Sequence, residues 1–146
     1  RPKLKAHIPL MQQTLADVMG IDEEDVTALE SHFSHPVAWV LCPRSNDYIS
    51  GLRPAFELLR RRNALICLGT DSLASNTSLS MLEEIKALPD VPIAERFEWA
   101  TLGGARALGM EDELGSIEVG KCPGLVHIEG FSQEGLSASA TARRII

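Results

Sequence analysis

Two short, unbroken apolar runs constrain this chain most. Residues 37–42 read Val-Ala-Trp-Val-Leu-Cys and residues 64–68 read Ala-Leu-Ile-Cys-Leu. Neither run alternates apolar with polar residues, so each predicts a strand buried on both faces rather than one with a wet side. Strands of that kind belong to parallel sheets covered by helices. The intervening sequence agrees. Pro54 suits the first turn of a helix that runs through Phe56, Leu58 and Leu59 to about Arg62. Upstream, residues 21–34 read as a helix. Asp22, Glu23, Glu24 and Asp25 place negative charge at its N-terminus, and Val26, Leu29 and Phe33 form its buried face. His32 falls off that face, and His35-Pro36 ends the helix. The order helix, strand, helix, strand, helix is the βα pattern of a parallel sheet.

Each apolar run hands polar side chains to its C-terminal end, the edge where parallel α/β folds place their chemistry. The first delivers Pro43-Arg44-Ser45-Asn46, followed by a loop from Asp47 to Arg53 that is broken at Gly51. The second delivers Gly69-Thr70-Asp71-Ser72, then Ser75, Asn76, Thr77 and Ser78. Asp71 is the chemically pointed residue. At a strand end a carboxylate can ligate a divalent metal, act as a general base on a metal-bound water, or do both. It can equally be a turn residue that caps its own loop. The residues alone leave both readings open.

Further along, residues 79–88 read as a helix with Leu79, Leu82, Ile85 and Lys86 around its turns, closed by Leu88-Pro89-Asp90-Val91-Pro92. Residues 93–108 read as a longer helix with Phe97, Ala100, Thr101 and Gly104 on one side. Gly103-Gly104-Ala105 would let another element come close, at about 1 kcal/mol of helix stability per glycine. After Gly109 the composition changes to short strand segments cut by glycine and proline, with a last strand-like piece at 141–146. His127 falls within that strand pattern as a structural or surface residue.

Charge and cysteine content exclude several classes. The 146 residues carry a formal net charge of −6, against a nucleic-acid binder, which needs a basic face. Arg60-Arg61-Arg62 reads as a solvated helix end. Cys42, Cys67 and Cys122 are odd in number and widely spaced, so neither a disulfide framework nor a structural zinc site is indicated. Cys42 and Cys67 sit in apolar runs as plain core residues. No apolar stretch approaches membrane-spanning length, and a reducing cytoplasm is the expected setting. A nucleotide-binding reading finds no G-x-G-x-x-G or Walker pattern.

Four segments, in order, carry a resemblance: Cys42-Pro43-Arg44-Ser45-Asn46, the stretch from Leu68 to Asn76, Ala100-Thr101-Leu102-Gly103-Gly104-Ala105, and the stretch from Gly115 to Leu125. They resemble the amidohydrolase superfamily in its deaminase and chlorohydrolase branch, nearest to aminodeoxyfutalosine or adenosylhomocysteine deaminases, over roughly residues 9 to 146. The resemblance implies the C-terminal part of a (β/α)8 TIM-type barrel, about strands six to eight, plus the C-terminal share of a small β-sandwich. Residues 1–110 would be the barrel segment and residues 111–146 the sandwich segment. It implies Asp71 as metal ligand and proton shuttle, with Ser45, Asn46 and Ser72 bordering a small heterocyclic substrate. The metal would be zinc or iron in the parent, and this chain would hold none by itself.

The departures bear on activity. A full barrel of this type takes roughly 200 to 400 residues. The family's His-x-His after strand one and its strand-five histidine have no counterpart here. Pro9 to Thr14 resembles the end of strand six, and Gln12 stands where the family has a histidine; the alternative is His7 as a shifted substitute, though a five-residue slip along a strand would also swap its face. Glutamine cannot shuttle a proton near neutral pH. Two expectations therefore stand side by side. One is a portion of a metal-dependent hydrolase that acts on C–N or C–Cl bonds of a heterocycle. The other is a non-catalytic fragment or pseudo-enzyme that associates with itself or with a missing N-terminal half, since three strands leave an unpaired edge and an uncovered apolar face.

Overall fold

The computed structural model describes residues 21–34, 36–133 and 135–146. The strand-six segment with Gln12 and the alternative His7 lie outside the described residues. The elements follow the expected alternation. Helix α1 (Glu23–His32) starts at a reciprocal cap: the Asp22 side chain accepts from the N–H groups of Glu24 and Asp25, and the Asp25 carboxylate accepts from the Asp22 N–H. Val26 is fully buried while Leu29 and Phe33 are half-buried, and His32 is exposed.

Strand β1 (Ala38–Leu41) pairs in parallel with β2 (Leu65–Leu68), from Ala38 opposite Leu65 to Leu41 opposite Leu68. Both strands are a residue or two shorter than their apolar runs, as strand ends commonly are. Trp39, Leu41, Ile66 and Leu68 join Leu59 and Trp99 in one apolar core.

Four readings change in the structure. The stretch after β1 is helix α2 (Pro43–Ser50) rather than a loop from Asp47. Pro43 occupies its first turn, where its missing N–H costs nothing. Gly51 closes it in the left-handed conformation at φ 65°, donating its N–H to Asp47 O. The polar composition of 44–50 hid the helix, because only Pro43, Ser45 and Asn46 on it are buried. Helix α3 (Phe56–Arg61) then returns to β2. Helix α4 (Met81–Lys86) is shorter than expected: Leu79 lies before it and is exposed, and Glu84 takes a buried place beside Leu82 and Ile85.

The third change is in the long helix. It runs as α5 (Ile93–Glu98), a π-helical turn (Trp99–Gly103) and α6 (Gly104–Ala107). The wider turn shifts the packed face by one residue. Trp99, Gly103 and Ala105 are therefore buried, and Thr101 is exposed. A Cβ at Gly103 would lie 2.3 Å from the Ile66 carbonyl oxygen, whereas nothing lies within 4 Å of one at Gly104. The close approach belongs to Gly103 alone.

The C-terminal region is an antiparallel hairpin, β3 (Val126–Ser132) with β4 (Gly135–Arg144), bulged between Glu129 and Phe131. It is longer than the short segments expected from 114 and 141 onward. Residues 114–124 are bends, one turn at 119–120 and irregular backbone instead. Lys86 joins the hairpin to α4: its ammonium donates to Glu83 Oε1 at 2.7 Å and to the carbonyls of Ala138 and Ala140 at 3.0 and 2.7 Å.

Candidate functional site

Where β1 and β2 end, their following residues converge. Gly69 N–H donates to Leu41 O at 2.9 Å, extending the ladder one step past the strands. Three residues past β2, Asp71 adopts φ 54°, a left-handed conformation uncommon for a residue with a Cβ. Backbone held this way is typical of sites where a side chain must be aimed. Asp71 is exposed.

Asp71 Oδ2 meets the Ser45 hydroxyl at 2.8 Å and the Ser75 hydroxyl at 2.7 Å, and the two hydroxyl oxygens lie 2.7 Å apart. These three oxygens form a triangle. Two hydroxyls bring only two protons to its three edges, so with Asp71 ionised one edge has no proton. The hydrogen bond from Ser75 first, and that from Ser45 second, holds the Asp71 carboxyl below the ordinary carboxylate range, and the Ser72 backbone adds to them. At neutral pH the group is ionised and able to accept a proton.

The other sequence-selected residues are placed as follows. Ser45 is 1% exposed and belongs to the triangle. Asn46 is also buried, its Nδ2 has no hydrogen-bond partner, and its backbone carbonyl accepts from the Ser50 hydroxyl. The Ser72 hydroxyl accepts from Ala74 N–H at 3.2 Å and so braces the turn. Ser75, Asn76 and Glu84 were not among the selected residues. Ser75 had a local signal: it lies four residues after Asp71 in a small-polar run. Glu84 had none, because a glutamate on a short amphipathic helix reads as solvated.

Glu84 is 0% exposed. Its Oε2 accepts the Arg44 N–H at 3.0 Å and its Oε1 accepts Asn76 Nδ2 at 2.7 Å. Burial pushes its carboxyl up, and the Arg44 and Asn76 donors pull it partly back. Beneath the site, burial first and the Asp71 and Glu84 charges second push the Cys42 thiol up to about 11. Cys67 is raised to about 11 by burial alone. Both are buried, unreactive thiols at neutral pH. A cleft of about 410 Å³ opens beside the cluster between Arg44, Tyr48, Leu52, Ser75 and Thr77, and Asp71 is not in its walls.

Among the described residues, no group of three His, Cys, Asp or Glu side chains is gathered to hold a metal ion. Asp71 can offer one ligand. A catalytic zinc takes about three protein ligands and an open position, so these residues fit the edge of such a site rather than a whole one. No helix among the described residues is long and apolar enough to cross a membrane.

Residues 6–143 match the model of the amidohydrolase family. A 5-methylthioadenosine/S-adenosylhomocysteine deaminase of Caldanaerobacter subterraneus subsp. tengcongensis is 37% identical over 126 residues. That match covers 78% of this chain and 28% of the deaminase. Among solved structures, a zinc-bound adenosine deaminase from Xanthomonas campestris superimposes with a TM-score of 0.61 at 34% identity, over 70% of this chain and 25% of that one. The Helicobacter pylori aminofutalosine deaminase in complex with methylthio-coformycin gives 0.56 at 31% identity, over 67% and 25%. The chain therefore spans about a quarter of the length of these relatives.

Proposed function

The chain belongs to the amidohydrolase family, and from that premise we propose that it is the C-terminal portion of a hydrolytic deaminase of a small amino-substituted heterocycle. In this reading β1 and β2 are barrel strands seven and eight, residues 1–110 are the barrel segment, and residues 111–146 are the C-terminal share of the sandwich. The observation that carries the proposal is Asp71: an ionised carboxylate at the end of a buried parallel strand, aimed by a left-handed backbone and two hydroxyls. Names of relatives favour an aminopurine nucleoside such as methylthioadenosine or adenosylhomocysteine.

Hydrolytic deamination adds water to a ring carbon and expels ammonia. One proton must leave the water, and one must reach the departing amine. Asp71 can do both at its carboxylate: it accepts the first proton and returns it to the nitrogen. Ser45 and Ser75 hold the acceptor oxygen in place and keep it ionised between turnovers. Zinc or iron, when bound, would supply Lewis-acid activation of the water, with Asp71 as one ligand and histidines from outside the described residues as the others. In this reading Asn46, whose buried amide donor has no partner, and Ser72 would border the substrate. Three unpaired cysteines accord with a cytoplasmic setting.

A second reading applies to the 146 residues in isolation. The absence of a three-ligand cluster among the described residues, and the quarter-length match, support an inactive piece that works only after association with a missing N-terminal half or with itself. One experiment tests both. Deaminase activity on methylthioadenosine, read as ammonia release, is measured for the 146-residue chain and for a polypeptide extended to the length of the relatives. Activity only in the extended form, lost in Asp71→Asn with folding retained, is the expected result. Wild-type turnover by Asp71→Asn would remove Asp71 from the mechanism.

A further inference from the structure

Glu84 is the one carboxylate among the described residues with no exposure at all, and an ionised group in such a place is costly unless its partners are well made. Its partners are specific. Oε2 takes the backbone N–H of Arg44 and Oε1 takes the amide of Asn76. The same Asn76 Nδ2 donates onward to Thr70 O at 2.9 Å, and Asn76 Oδ1 accepts the Ser78 N–H at 3.2 Å. The three residues tethered to this network are Arg44, Thr70 and Asn76. Their chain neighbours are Ser45, Asp71 and Ser75, the three members of the oxygen triangle. One side chain on α4 thus tethers the Arg44 backbone directly and, through the Asn76 amide, the Thr70 carbonyl, beside a cluster it does not itself touch.

We propose that Glu84 is a positioning residue, the strut that holds the loops after β1 and β2 in register so that Ser45 and Ser75 meet Asp71. This rests on the reading of Asp71 as the reacting carboxylate. The strut calls for a carboxylate rather than its amide. Both incoming groups are N–H donors, and a carboxylate is acceptor-only. In Glu84→Gln one half of the side chain turns donor and faces either the Arg44 N–H or the Asn76 amide, so one tether opens. Reacting groups misplaced by about 1 Å lose on the order of 10²-fold in rate.

The test uses the full-length polypeptide and compares wild type, Glu84→Gln, and the double variant Glu84→Gln/Asn76→Asp. In the double variant the new amide donates to the new carboxylate and still accepts from Arg44, so the Arg44 and position-76 tethers return, while Thr70 O loses its donor because a carboxylate brings no proton. Glu84→Gln is expected to lower kcat on methylthioadenosine about 10²-fold, with KM within about threefold, and the double variant to recover part of that loss. Amide hydrogen exchange is expected to quicken in Glu84→Gln at the segment whose tether opens, 44–46 or 70–77, and to stay at the wild-type rate at 44–46 in the double variant, where only the Thr70 bond is lost. Unchanged exchange and unchanged kcat in Glu84→Gln overturn the strut. Exchange at 44–46 faster in the double variant than in wild type also overturns it, reducing Glu84 to general stability. Should Glu84→Gln fail to fold, Asn76→Ala removes the bonds to Glu84, Thr70 and Ser78 together while leaving the Arg44 N–H on Glu84, so it must quicken exchange at 70–78 and leave 44–46 at the wild-type rate. A wild-type polypeptide that leaves methylthioadenosine untouched sinks the deaminase reading, while the exchange arm still decides the strut.

Discussion

Gly103 and Gly104 are adjacent, both helical at φ −58° and −62°, and the structure assigns them opposite responses to alanine. At Gly103 an added Cβ lands 2.3 Å from Ile66 O, 3.3 Å from Glu98 O and 3.4 Å from the Ile66 carbonyl carbon. An ordinary contact needs about 1 Å more than the shortest of these, since carbon atoms settle near 3.5 Å. The obstructing atom is backbone in β2, which is locked to β1 over four residue pairs, so it cannot rotate away. Overpacking of this kind costs about 1–3 kcal/mol, and the rigidity of the ladder puts it near 3. Replacing glycine in a helix returns about 1 kcal/mol, which leaves a net loss of about 2. At Gly104 nothing stands within 4 Å, so only the gain of about 1 kcal/mol applies. Urea denaturation of the intact polypeptide reads both. With a slope of about 2 kcal/mol per molar, Gly103→Ala should lower the midpoint by about 1 M and Gly104→Ala should raise it by about 0.5 M. Shifts of the same sign, or a neutral Gly103→Ala, would refute the seating of the π turn on β2.

Two further outcomes are expected. Ser75→Ala removes the larger of the two hydroxyl contributions to Asp71, so in chelator-treated protein the Asp71 carboxyl should titrate closer to the ordinary carboxylate range, read by 13C NMR. The sign for stability follows. A depressed folded-state value favours folding above the unfolded value, and that contribution fades as pH falls through the folded one. The variant should therefore lose less stability than wild type on acidification, and an unmoved Asp71 titration would contradict the triangle. Lys86→Met removes the donors to Ala138 O and Ala140 O. Amide exchange in β4 should rise while β1 and β2 stay protected, and uniform behaviour across both sheets would show that Lys86 does not anchor the hairpin.

Much of this protein was legible in its sequence because the relevant physics is local. The apolar runs at 37–42 and 64–68 announced parallel strands, since their length and flanking glycine and proline suit a strand better than a helix, although Ala38, Val40 and Leu65 are half-buried rather than buried. Gly69 and Asp71 pointed to the strand end as the candidate edge, while the residues alone left open that Asp71 only caps its own turn. Helix α2 was missed for a physical reason as well. Its buried residues, Pro43, Ser45 and Asn46, crowd its first turn, and the remainder is solvated, so it has no apolar stripe to give a period. What only the tertiary structure decided is where polar groups separated along the chain meet. Ser45 and Asp71 are 26 residues apart, and Arg44 and Glu84 are 40 apart. Hydrophobic burial is non-directional and leaves a period that can be read. A hydrogen bond between distant residues leaves none, because its geometry exists only after the strands have been brought side by side.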